Sequence, residues 1–155
     1  MNKMEVQTQS LKEMSQDELD ELYARAKAGS IPHGDSVGAT LVFPGTPLYE
    51  KVRASAIVWG GKVFDCPDPA GPGTLMNKIN GQLAFKADVY YGESAHDGKP
   101  CIIIDYSKAP EFAMFKFKDE IRRVANGLYL GRMYRQNEDG AFEFLLNFTC
   151  DFNPV

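Results

Sequence analysis

From residue 37 to the end of the chain, apolar side chains return at nearly every second position, the period of a strand with one buried face. Val37, Ala39, Leu41 and Phe43 alternate with small or polar residues until Pro44-Gly45 stops the run, and Lys62 to Cys66 begins another strand after Gly60-Gly61. Leu83, Phe85, Ala87, Val89 and Tyr91 alternate with Ala84, Lys86, Asp88 and Tyr90. Pro100 to Ser107 reads as a buried strand, and Ala113, Phe115 and Phe117 alternate against Met114, Lys116 and Lys118. Leu128 to Arg135, the turn Asn137-Glu138-Asp139-Gly140, and Ala141 to Phe152 read as a closing hairpin. Its last strand gathers Phe142, Phe144, Leu146, Phe148, Cys150 and Phe152 on one face.

Two stretches follow the helical period instead. Ser15 with Glu18 makes a capping box, and Leu19, Leu22, Tyr23 and Ala26 form a narrow stripe on a helix expected to reach Gly29. A second helix is expected over Pro47 to Trp59, with Thr46 as N-cap and Pro47 in the first turn. The Pro- and Gly-rich stretch 67–73 is a surface loop. About eight antiparallel strands must close or stack to hide their edges. The expectation is a mainly β fold, a closed antiparallel barrel flanked by one or two N-terminal helices. Residues 15–155 form that single domain behind a flexible tail, 1–14.

The 155 residues are 44% hydrophobic and 25% charged, an ordinary globular composition for one domain. A net charge of −4 has the wrong sign for a protein that neutralises phosphates, so nucleic acid is not expected as a partner. The longest apolar runs have four residues, Cys101 to Ile104 among them, too short for membrane insertion by a helix. Three scattered cysteines and a polar start lacking a secretory signal favour the cytoplasm. The pattern leaves the oligomeric state open, a homodimer included.

A small barrel preceded by a helix, with Trp59-Gly60-Gly61-Lys62 placing a Trp beside glycines, resembles the lipocalin-like (calycin) superfamily. The resemblance implies a barrel enclosing a hydrophobic small molecule. The longer pattern Gly61-Lys62-Val63-Phe64, Asn77-Lys78, Asp97-Gly98-Lys99, Ile104-Asp105-Tyr106-Ser107, Asp119-Glu120-Ile121-Arg122 and Gly127-Leu128-Tyr129-Leu130-Gly131 is similar to a group of uncharacterised bacterial proteins, and no activity comes with it.

Candidate chemistry lies where polar residues interrupt apolar strands. By period-two counting Asp119 continues the inward face of Phe115 and Phe117, where an acid would have a raised pKa and Arg122 could hold it or a carboxylate-bearing ligand. The alternative is a charged turn at Asp119-Glu120 with a surface ion pair. Of Asp105 and Tyr106 only one can look inward. Tyr91, Tyr129 and Trp59, with Tyr90 and Tyr134, supply amphipathic rings for a pocket, and Arg132 could be an inward cation opposite Asp119 or Glu120. His33 and His96 sit in turns without metal-ligand spacing, so no metal or other cofactor is expected. Haem on one His is a minor alternative. Three function classes remain: a binding protein for a hydrophobic or aromatic small molecule; a cofactor-free isomerase, cyclase or lyase moving a proton with Asp119, Glu120, Asp105 or Tyr106; and an interaction module with a filled barrel.

Overall fold

The computed structural model describes residues 6–41, 46–55, 57–112 and 116–153. Its helices are α1 (Thr8–Lys12), α2 (Gln16–Arg25) and α3 (Pro47–Ala54). Its strands are β1 (Gly34–Asp35), β2 (Val37–Leu41), β3 (Trp59–Asp65), β4 (Gly73–Ile79), β5 (Gln82–Glu93), β6 (Pro100–Asp105), β7 (Phe117–Ala125), β8 (Leu128–Gln136) and β9 (Phe142–Asp151). All nine strands join one antiparallel sheet in the order β1-β3-β4-β5-β6-β7-β8-β9-β2. Because β1 and β2 are consecutive and separated only by Ser36, the two ends of that order meet, and the sheet is a nearly closed barrel. Ser36 fastens the seam: its N–H and Oγ–H both donate to Lys62 O (3.1 and 2.6 Å).

The barrel interior divides in two along its axis. One half is packed solid by Phe64, Leu75, Val89, Ile102, Ile104, Ile121 and Cys150, with Tyr129 and Phe152 beside them. The other half, where β2, β4, β6 and β8 end, holds a cavity. No described residue of α1 or α2 lines that cavity. Leu11, Leu19 and Tyr23 of α1 and α2 pack with Leu41, Leu128 and Leu130 against the outside of the wall.

Several boundaries differ from the sequence expectation. α1 lies within the stretch read as a tail; with a single buried apolar residue, Leu11, it has no periodicity to reveal it. The capping box of α2 forms (Glu18 N to Ser15 Oγ 3.2 Å, Ser15 N to Glu18 Oε1 3.1 Å). The helix nevertheless stops at Arg25, because Lys27 pairs with Arg123 beside the sheet. α3 ends at Ala54 and Trp59 opens β3 instead, since its ring is taken into the barrel. Of the strand expected across 113–118, Phe117 and Lys118 open β7 and Lys116 precedes it, and the Asp119-Glu120-Ile121-Arg122 stretch is the middle of β7, not a turn. Phe115, with Ala113 and Met114, lies outside the described residues.

The single apolar face expected on the last strand is split by a bulge. Met133 faces Leu146 but Tyr134 faces Phe144, so Leu145 is an extra residue that reverses the side-chain alternation. Leu146, Phe148 and Cys150 point inward, while Phe142 and Phe144 lie outside against Tyr134.

Candidate functional site

Two backbone irregularities build the hollow half. Trp59 pairs with Ile79 and Lys62 with Asn77, so β3 carries one more residue than β4 across this interval. The bulge at Gly60-Gly61 turns Trp59 and Lys62, an odd number of residues apart, to the same inner face. Gly61 sits at φ +120, and a Cβ there would lie 2.5 Å from Ser36 O, so only glycine passes the seam. On β5 a second bulge places Phe85 at φ +57 with its ring in the cavity.

The cavity measures about 300 Å³. Its walls are Trp59, Ile57, Ile79, Phe85, Phe112, Phe117, Met133, Leu146 and Phe148, with Thr40 and four further polar residues: Lys62, Asn77, Tyr106 and Asp119. Phe85 stacks on Phe112 (4.5 Å between centroids), and Phe112 meets Phe117 and Tyr106 edge-on (5.0 and 5.2 Å).

The polar residues form one buried cluster on this apolar wall. Lys62, 2% exposed, points its Nζ at Asn77 Oδ1 (2.8 Å), Tyr106 OH (2.6 Å) and Asp119 Oδ2 (3.0 Å). The Tyr106 hydroxyl donates to Asp119 Oδ2 (3.2 Å) and accepts from Asn77 Nδ2 (2.9 Å), which also donates to Phe85 O (3.0 Å). Trp59 Nε1–H donates to Asn77 Oδ1 (3.0 Å). The Lys62 ammonium lies 5.2 to 5.4 Å from the ring centres of Trp59, Tyr106 and Phe148.

Burial alone would pull the Lys62 pKa down, but the adjoining Tyr106 and Asp119 outweigh it and raise the value, so Lys62 is a cation. Burial raises Tyr106 well above the ordinary phenol range against the opposing pull of Lys62, so it is a neutral hydroxyl. Among the described residues only two buried side-chain polar atoms lack a partner, Asp119 Oδ1 in this cluster and Thr149 Oγ1.

Of the sequence-predicted residues, the structure brings Asp119, Tyr106, Trp59 and Phe117 together around the cavity. Glu120, Arg122 and Arg132 lie on the opposite side of the wall, because strand neighbours alternate. Glu120 accepts from Tyr23 OH (3.0 Å), Ala95 N–H (2.9 Å) and Ser94 Oγ–H. Arg122 forks onto Asp97 (2.7 and 2.8 Å) and also donates to the carbonyls of Tyr23, Lys99 and Pro100. It therefore has no donor left for Asp119 or for a ligand. Arg132 faces Glu120 across the β7–β8 pair and binds Asp20 of α2 at 2.6 Å. These side chains hold the helix to the barrel.

Asp105 also lies outside, accepting from Tyr90 OH (2.6 Å) and Ser107 N–H (2.8 Å). Tyr91 donates to Gly29 O (2.6 Å) and Tyr129 to Ser30 O (2.5 Å), tying the segment after α2 to the packed end. His33 accepts from Cys66 N–H (3.0 Å) and His96 packs on Tyr23; neither lines the cavity. No group of three His, Cys, Asp or Glu side chains among the described residues is placed to hold a metal ion.

Lys62 and Asn77 were absent from the sequence-derived candidates. A signal for Lys62 exists: it shares strand parity with Phe64 and Cys66, so a lysine stands on a face that is otherwise apolar. Asn77 shows no such mark until Lys62 is placed opposite it.

Fold and site together define a small antiparallel barrel with a half-filled interior and one buried polar cluster, an architecture compatible with the lipocalin-like fold. No helix among the described residues is long and apolar enough to cross a membrane. No family model, curated protein or solved structure matches the chain.

Proposed function

We propose that the chain is a lipocalin-like binding protein that takes a small hydrophobic or aromatic molecule into the hollow half of its barrel. The observation that carries this reading is the cavity itself: about 300 Å³ of space walled by aromatic and aliphatic side chains, with polar groups confined to one cluster. That is the composition of a ligand site, apolar for affinity and locally polar for orientation, and its volume is at the small end of such sites. Three free cysteines, all buried, agree with a reducing cytoplasm as the place of action.

Native mass spectrometry of protein purified from its own host, paired with an absorption spectrum, tests the reading. The expected result is a population heavier than the chain by one organic mass and free of a haem band. A single apo mass from every preparation, with no uptake of small aromatic molecules afterwards, contradicts it.

A second reading, a cofactor-free acid–base enzyme, is favoured by one feature. Asp119 keeps a free carboxylate oxygen next to a neutral Tyr106 hydroxyl and a Lys62 cation. In that reading Asp119 takes a proton from the bound molecule, while the positive charge of Lys62 steadies the anion left behind. Turnover of a bound compound that is lost in Asp119→Asn while its binding persists distinguishes the enzyme from the carrier.

A further inference from the structure

Accounting for every donor and acceptor of the buried cluster narrows the ligand, on the reading that the cavity is a binding site. An ammonium has three donors, and three acceptors stand within 3.0 Å of Lys62 Nζ. The amide of Asn77 is fully used: its oxygen accepts from Lys62 and Trp59, and its nitrogen donates to Phe85 O and Tyr106 OH. The Tyr106 hydroxyl gives its only proton to Asp119 Oδ2. What remains is Asp119 Oδ1, an acceptor on a side chain 6% exposed, with no partner. A buried carboxylate oxygen in that state is destabilising until a donor reaches it.

Charge gives the same answer from another side. Lys62 and Asp119 neutralise each other, and the other described residues of the cavity wall carry no charge, so a charged guest would be desolvated without a counter-ion. A carboxylate would meet Asp119 while Lys62 has no donor to spare. An ammonium would meet the Lys62 cation. We infer that the molecule this cavity selects is neutral and apolar with one hydroxyl, a phenol or alcohol rather than a carboxylic acid, and that the hydroxyl donates to Asp119 Oδ1.

Isothermal titration of the full chain at neutral pH with 4-propylphenol, propylbenzene and 4-propylbenzoate tests this, because the three share a frame and differ in the polar end. The phenol is expected to bind about tenfold or more tightly than either of the others, the size of one hydrogen bond to a charged acceptor. Asp119→Asn should erase most of that advantage. Since removing Asp119 alone strands Lys62, the double variant Lys62→Met/Asp119→Leu is the companion: there the phenol and the hydrocarbon should bind within about threefold of each other. Benzoate binding as tightly as the phenol, or a phenol advantage that survives in the double variant, overturns the ligand class and leaves the cavity as a binding site. Failure of all three to bind overturns both.

Discussion

Asp119 and Glu120 are adjacent in β7 and serve opposite sides of the barrel wall. The Asp119 carboxylate meets Lys62 at 3.0 Å inside the barrel, and Glu120 accepts the Tyr23 hydroxyl at 3.0 Å beneath helix α2. The pair divides the acidic motif into an element of the cavity and an element of the scaffold.

Breaking the inner pair from one side should be costly. Lys62→Met leaves Asp119 buried without its cation, and about 3–5 kcal/mol of stability should be lost in urea unfolding. Lys62→Met/Asp119→Leu removes both charges and should be more stable than the single variant, because no uncompensated charge remains. Equal stability of wild type and Lys62→Met would contradict the buried ion pair.

On the outer side, Tyr23→Phe deletes one of the three hydrogen bonds to Glu120 and should cost about 1 kcal/mol of stability. In this variant the emission of Trp59, the one tryptophan and a cavity residue, should match that of the wild type both free and with ligand bound. A change in ligand affinity comparable to that of Asp119→Asn would return Glu120 and its partners to the functional site.

The cavity depends on a missing side chain. The far end of the Phe148 ring lies against Gly131, and a Cβ at that position would run into it. Gly131→Ala should therefore push Phe148 into the hollow half, cost about 1–3 kcal/mol through overpacking, and weaken ligand binding. Unaltered affinity in titrations would show that the ring, and the volume it guards, are not where the structure has them.

Period-two alternation was enough to read the barrel, and it offered Asp119 as an inward candidate beside the alternative of a charged turn. It failed wherever a bulge reversed parity. Leu145 turns Phe142 and Phe144 outward, and Gly60-Gly61 brings Trp59 and Lys62 to one face. Arg122 and Arg132 were candidates for partners of an inward acid, with a surface position as the alternative; they lie on the outer side of the wall, with Glu120 and helix α2. Their partners, Asp97 and Asp20, come from a loop and from α2, and no strand pattern predicts those contacts. Asn77 was illegible for the same reason: its role exists only through the cross-strand register with Lys62.

Acid should loosen the outer clamp of Arg122 and Asp97. The bidentate fork of Arg122 holds the Asp97 carboxyl at about 2, below its ordinary 3.8, despite partial burial. A carboxylate depressed in the folded state stabilises the fold above the unfolded pKa, and that contribution is lost as pH falls from about 4 toward 2. The shift corresponds to about 2 kcal/mol. The stability difference between wild type and Asp97→Asn should thus be full at neutral pH and shrink across that window. A difference that persists unchanged below it would contradict the clamp.

The central claim, that the hollow half of the barrel is a binding site, is tested most directly by titrating 4-propylphenol against the emission of Trp59, excited selectively at the red edge of its absorption. The indole forms part of the cavity wall and donates to Asn77, so an occupied cavity changes its surroundings. The account predicts a saturable change with one molecule bound per chain, weakened in Gly131→Ala. Emission that drifts linearly without saturation, from protein that remains folded throughout, would contradict it.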